Sequence, residues 1–154
     1  MATFVMFDKA AVNFLGGGSA GDAGMTDWLS NSIRATLHTS AGWTPNTATN
    51  EVKADATGEL GTANGYTALG QVLTCSIPDE TEPINFVVAD FSWTASGGSI
   101  GPFRYCAVWN DSTTTPADVL IGYIDVGGDT TITNGNTITF DCDQVSGLFT
   151  GTAT

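Results

Sequence analysis

The sequence predicts an all-β fold, a small antiparallel β-sandwich (jelly-roll or Ig-like) with a short N-terminal helix, and three observations predict it. Apolar stretches recur between turn signals at Ser96-Gly97-Gly98, Asn110-Asp111, Gly127-Gly128-Asp129 and Asn134-Gly135-Asn136, the spacing expected of a sandwich. Several of these stretches alternate with a period of two, which is the period of a half-buried strand. Threonine, which suits a polar strand face, occurs 24 times against two lysines.

The elements follow in chain order. Asp8 to Leu15 reads as an N-capped helix of about two turns, stopped by Gly16-Gly17-Gly18. Phe7, Ala11, Phe14 and Leu15 fall on one face of it. So short a helix persists only when docked on something. Residues 16–24 are Gly, Ser, Ala, Asp in type, a flexible connection, so residues 1–24 form an arm, helix and linker ahead of one β-sandwich domain spanning 1–154. Ile33, Ala35 and Leu37 alternate with Arg34, Thr36 and His38, predicting a strand with one wet face. Ser40 to Asn64 reads as a long loop, unusual inside a compact domain and often functional.

Leu69 to Ile77 is the next strand, closed by Pro78-Asp79. The segments 84–93, 103–109 and 119–126 are apolar on both faces. That predicts central strands, lying between two layers or with the outer face covered. Thr131 to Ile138 reads as a hairpin about an Asn-Gly turn. The last strand, Thr137 to Cys142, points Ile138, Phe140 and Cys142 inward and Thr139 and Asp141 outward.

Composition bounds the function. A chain of 154 residues is the size of one domain. Four Lys and Arg against 16 Asp and Glu leave a net charge of −12, which argues against nucleic-acid or anionic-membrane partners, because phosphate contacts need clustered cations. No apolar run approaches the ~20 residues of a membrane helix, and no basic stretch with a long apolar core opens the chain. Cys75, Cys106 and Cys142 are an odd, widely spaced set without a CxxC pair. Each lies in an apolar stretch, and the reading is three free, buried thiols of a chain made in a reducing cytoplasm.

The motifs that would carry chemistry fail on context. Gly17-Gly18-Ser19-Ala20-Gly21 and Gly97-Gly98-Ser99-Ile100-Gly101 match a hydrolase serine pattern, yet neither precedes a helix and the chain has a single histidine, His38. Gly16, Gly18 and Gly21 fit a dinucleotide fingerprint but leave a helix rather than a strand. Asp125 with Asp129, and Asp141 with Asp143, offer oxygen to a hard cation, though turn and strand-end carboxylates in solvent are the commoner meaning. No cofactor or metal is expected, and no catalytic set can be named. Trp93, Phe103, Tyr105 and Trp109 sit at core spacing. Trp28 and Trp43 border polar segments, where each is either a loop pin, the favoured reading, or a platform for sugar.

The order of motifs resembles a known family. Phe7-Asp8-Lys9-Ala10-Ala11 is followed by Asp27-x-Leu29 and Ile33-x-Ala35-x-Leu37, then Thr44-Pro45-Asn46, Glu59 with Gly65-Tyr66-Thr67 and Gly70, and Phe91-x-Trp93. Phe103-Arg104-Tyr105 with Val108, and Leu120-Ile121-Gly122-Tyr123-Ile124-Asp125 with Gly127, complete it. This resembles small virion structural proteins of tailed bacteriophages, of the capsid decoration, cement or head-fibre type. The likeness runs from Phe7 to about Phe149 and is most specific at Gly65-Tyr66-Thr67 and Phe103-Arg104-Tyr105. Relatives carry more basic residues in the first strand than the lone Arg34, which leaves open the surface that faces a capsid.

The resemblance implies a non-enzymatic bacteriophage virion protein on the outer surface of the head, made in the host cytoplasm. Its partner would be the major capsid protein or another virion protein, and it would assemble as a homo-oligomer, a trimer being favoured. A neck, tail or head-fibre component is the alternative, as is a carbohydrate-binding β-sandwich module using Trp28 or Trp43. A hydrolase built on scattered carboxylates stands last. Phe4 and Phe7 are the candidate partner contacts, with an equal alternative in which they fill one end of the sandwich.

Overall fold

A computed structural model describes residues 3–14, 28–29, 32–78, 84–114, 116–143, 145 and 147–151. The segment 16–24, read as a linker, lies outside them. The fold is all-β with antiparallel sheets and one short helix, as the alternation predicts. Its centre is a long pair, β7 (Ile100–Thr114) against β8 (Ala117–Ile132). Around them, β1 (Thr3–Met6) adds to the outer side of β8, while β2 (Ile33–His38) and then β3 (Gln71–Val72) add to β7. Two smaller sheets complete the fold. One is β10–β5–β4, from Phe149–Gly151, Ile84–Val88 and Cys75–Ser76, and the other is β6–β9, from Phe91–Thr94 and Thr137–Phe140.

The five-stranded sheet is covered on both faces because its two middle strands are apolar on both. Cys106 and Val108 of β7, with Ile121 and Ile124 of β8, join a core that also holds Val88, Phe91, Trp93 and Phe140 from the smaller sheets. Tyr105, Ala107 and Trp109 of β7, with Leu120 of β8, point the other way into a second cluster with Phe7, Ala10, Trp43 and Ala56. The first face is thus sealed by sheets and the second by α1 (Asp8–Phe14) and the loop after β2. A register shift between Phe103 and Tyr105 sets the division, since Phe103 lies in the first core and Tyr105 in the second. There β8 advances five residues, from Asp125 to Thr130, against two of β7, an irregularity that re-aims side chains locally.

That second cover overturns the wet face expected of β2. Thr36 and His38 are both fully buried: Trp43 and the Thr57 carbonyl cover His38, and Thr36 bonds to the His38 ring. Five other expectations also differ from the structure. Leu69 to Ile77 is two bridges, β3 and β4, in different sheets, and 84–93 divides at Ala89–Asp90 into β5 and β6, again in different sheets. Periodicity reports burial, not which partner a strand takes. Segments 103–109 and 119–126 are central, whereas β6 has only β9 beside it. Asn110-Asp111 is not a turn but part of β7, with Asn110 buried, and Gly127 to Asp129 is an irregularity within β8. Asn134-Gly135 does turn, Asn136 N–H donating to Thr133 C=O at 3.0 Å. It makes no hairpin, however, because Ile132 pairs with Ile100 and Thr137 with Thr94.

The N-terminal helix is docked on its own chain, against β8. Phe7, just ahead of it, and Ala10 are buried and Ala11 is half-buried, while the Phe14 side chain and Leu15, expected on the same face, lie outside what the structure describes. The Phe7 ring stacks with Trp43 at 6.2 Å and leans on Tyr123 at 5.6 Å. Phe7 N–H donates to Ile121 C=O, and Asp8 N–H to Thr47 C=O, both at 3.1 Å. Burying two such rings contributes roughly 1.5–3 kcal/mol each, enough to carry a helix too short to form alone.

Two predictions follow from this packing. Trp43→Ala should lower stability by about 3–5 kcal/mol, the usual range for a buried Trp, read as a lower urea midpoint; an unchanged midpoint would show that the loop does not seal the sheet. None of the three cysteines is in a disulfide; Cys106 and Cys142 are buried and Cys75 half-buried. Burial raises Cys75 to about 12 and Cys142 to about 11 and pushes Cys106 up as well. Alkylation of native protein should therefore be slow, and alkylation after denaturation should modify three thiols by intact mass. A mass short by two would mean a disulfide.

Candidate functional site

The long loop after β2 places the polar chemistry of the molecule. It returns to β2 through Thr39 N–H donating to Gly58 C=O and Leu60 N–H donating to Leu37 C=O, both at 2.9 Å. His38 lies beneath. Its Nδ1 is 2.8 Å from the Thr57 carbonyl, which can only accept, so Nδ1 carries the proton. Nε2, 2.8 Å from Thr36 Oγ1, then accepts from that hydroxyl. The ring is neutral and satisfied, and burial lowers its pKa to about 4, with nearby Lys53 acting in the same direction and Glu59 against. It has no exposed nitrogen with which to act as a base.

Beside it runs a second chain of polar contacts. Leu37 N–H donates to Tyr66 Oη at 3.1 Å, and the Tyr66 hydroxyl donates to Glu59 Oε1 at 3.0 Å. Leu69 N–H donates to the same oxygen at 2.6 Å, and Lys53 Nζ pairs with Glu59 Oε2 at 2.8 Å. Burial alone would raise the Glu59 pKa, but Lys53, Leu69 and Tyr66 together hold it below the ordinary carboxylate range. Lys53 and Arg34 also bracket the Trp109 ring at 5.9 and 6.0 Å from its centroid. This network locks the Glu59–Gly70 segment. Gly70 has φ +62, and a Cβ there would fall 1.7 Å from the Ala35 carbonyl oxygen. Arg34 Nε donates to Leu69 C=O at 2.9 Å.

The segment so held forms one wall of a shallow cleft of about 290 Å³, lined by residues 60–64, Tyr66 and residues 99–101. Asn64 ties the walls together, its Nδ2 donating to Ser99 C=O at 2.8 Å while its own carbonyl accepts from Ser96 N–H at 2.9 Å. The lining carries no charge. Nor does the chain around it, for residues 60–78, 91–103 and 130–140 contain no Asp, Glu, Lys or Arg. At the chain's charged fraction of 13 %, stretches of that total length would hold roughly six charges. The fold brings all three together: Ala95 N–H donates to Asn136 C=O at 2.9 Å, Ile100 pairs with Ile132, and Thr94 Oγ1 meets Thr137 Oγ1 at 2.7 Å. Sequence reading by motif missed this uncharged end. The three charge-free runs are visible in the sequence, but only the fold shows that they meet.

The residues singled out in the sequence are scattered. Phe7 is fully buried and Phe4 is half-buried, its ring resting on Gly122, where a Cβ would come within 2.2 Å of it. As folded, Phe7 has no surface to offer a partner. Trp28 and Trp43 are 3 % and 4 % exposed. Trp28 donates to Val87 C=O at 3.1 Å and Trp43 to Asn50 Oδ1 at 3.2 Å, so both are pins and neither is a sugar platform. Asp125 is taken up by Arg104 through two bonds of 3.0 and 2.9 Å. Among the described residues no group of three His, Cys, Asp or Glu is gathered as a metal requires. Ser99 stands at the start of β7 rather than before a helix, and Ser19 lies outside the described residues. Comparison with known proteins finds no matching family model, no matching curated protein and no matching solved structure.

The buried histidine has a thermodynamic signature. Its folded pKa is depressed, so the unfolded chain binds the extra proton first, and stability is full above about pH 6.5 and falls as pH drops toward 4. The loss amounts to about 3 kcal/mol for a shift of that size. Glu59 and Asp125, held low by their partners, lose their contributions only at lower pH. Urea titrations at pH 7 and pH 4 should show His38→Gln flattening that slope. Equal slopes in the two proteins would place the histidine outside the pH response.

Proposed function

We propose that this chain is a non-enzymatic structural protein of a tailed-bacteriophage virion, a decoration or cement protein seated on the outer surface of the head. It would be made in the host cytoplasm and bind the major capsid protein or another virion protein as a homo-oligomer. The motif order from Phe7 to about Phe149 suggests the class. The observation that carries the reading is how the charge is held. Three of the four basic side chains are committed to ion pairs, Arg34 with Asp111, Lys53 with Glu59 and Arg104 with Asp125. The fourth, Lys9, stands on α1.

With three of its four cations paired internally, the chain, of net charge −12, presents an acidic exterior. Such a surface is repelled by packaged nucleic acid and drawn to any basic patch on a protein shell. Burial of Trp28 and Trp43 removes the aromatic platform that a sugar-binding module would use, so the carbohydrate reading falls behind.

Co-sedimentation with undecorated heads of the phage that encodes the chain tests the proposal, with tails as the second arm. Heads should carry the protein down at about 0.1 M salt and release most of it at about 1 M, where the screening length falls from about 10 Å to about 3 Å. Binding to tails alone would move the protein to the neck or tail. Binding to neither, even at low salt, would overturn the reading.

A further inference from the structure

We propose that the uncharged end around the residue 60–66 and 99–101 cleft is where copies of this chain meet. The inference deepens the homo-oligomer named above and rests on that part of the reading. The argument is electrostatic. Two copies approaching through an acidic face bring like charges together, a cost that grows as water is excluded from between them. Three of the four cations that might offset this are already paired within each copy, and the fourth, Lys9, stands apart on α1. A basic partner, by contrast, gains nothing from a surface without charge and is drawn to the acidic ones. The neutral end is therefore the surface on which this chain can bury itself against its own kind.

Its chemistry suits that role. Thr62, Ala63, Ser99, Asn136 and Thr137 are exposed there, all small or uncharged. Leu69, 53 % exposed, stands at its border on a backbone with φ +69. A leucine rarely adopts that conformation, and it persists only where the surroundings enforce it. Here Glu59 takes its N–H and Arg34 its carbonyl, so a large apolar side chain is held out toward solvent at a defined place. Hydrogen bonds across the end, from Asn64 to Ser96 and Ser99 and from Ala95 to Asn136, make it rigid, so little ordering is lost when a second copy docks. Closed symmetry would repeat this contact around a ring.

Sedimentation velocity of the full chain tests it. Wild type should associate, and association should tighten from about 0.1 M to about 1 M salt as repulsion between the acidic bodies is screened, the opposite of the response expected for head binding. The pair Ala63→Glu with Ser99→Glu should weaken association about tenfold or more, as unpaired charge in a contact does. Ala63→Lys with Ser99→Lys should weaken it too, although it lowers the net charge. Ala48→Glu with Ala54→Glu adds the same negative charge on the loop over the other face and should leave association near wild type.

Circular dichroism confirms that each variant is folded. Association that survives both cleft pairs would overturn this inference while leaving head binding intact. Equal loss in the loop pair would also overturn it, by showing that total charge and not place decides. A wild-type chain that stays monomeric in high salt would end both this inference and the homo-oligomer. Neutral glycan binding lost in the cleft pairs, with no association, would give the end a different occupant and overturn the inference as well.

Discussion

β7 and β8 are apolar on both faces, so neither face of the sheet they centre can be left to water, and the rest of the architecture answers that constraint. One face is closed in the usual way, by smaller sheets whose inward residues meet it. The other has no sheet to close it. A one-turn contact from α1 and a loop of some twenty residues do so instead, with Phe7 and Trp43 at the middle. This accounts for a loop longer than a compact domain ordinarily tolerates: its residues form a wall of the core.

The same constraint puts polar groups where the sequence pattern forbids them. Thr36 and His38 occupy the second face of β2 and are buried by the loop, so each must find a partner, and they find one another and the Thr57 carbonyl. Buried polar groups that are fully satisfied rigidify a core. The Glu59 network extends this ordering to the surface, carrying it from Leu37 on β2 through Tyr66 to Leu69. The molecule thereby acquires a neutral, stiff end while its charge lies elsewhere.

How far the sequence reveals this follows from what each signal measures. Apolar runs identified β7 and β8 as central, because burial on both faces leaves no polar alternation. The period of two in Thr137 to Cys142 gave the right inward residues. The wet face of β2 misled because Thr and His are read as solvent-facing by default, and only the tertiary fold shows that a loop lies over them. Ile84 to Trp93 read as one strand because apolar residues flank Ala89-Asp90 on both sides, although neither of the two favours a strand, and the chain changes sheets there. Asn134-Gly135 announced a turn correctly and its partner wrongly: turn chemistry fixes local geometry, while strand pairing is decided by distant surfaces. The uncharged end left no motif. It is a pattern of absences, legible only once three segments are known to meet.

The contact between Phe7 and Trp43 also links segments far apart in sequence. With Asp8 N–H bonded to Thr47 C=O, the first strand, the helix and the loop hold one another closed, and none has an independent core of its own. They therefore constitute a single cooperative unit, opening together or not at all, with a free energy below that of the sheet they cover. In hydrogen exchange the amides of Phe7, Asp8 and Asn50 should share one opening rate, and a protease nick in the loop would loosen the chain's beginning, some forty residues away.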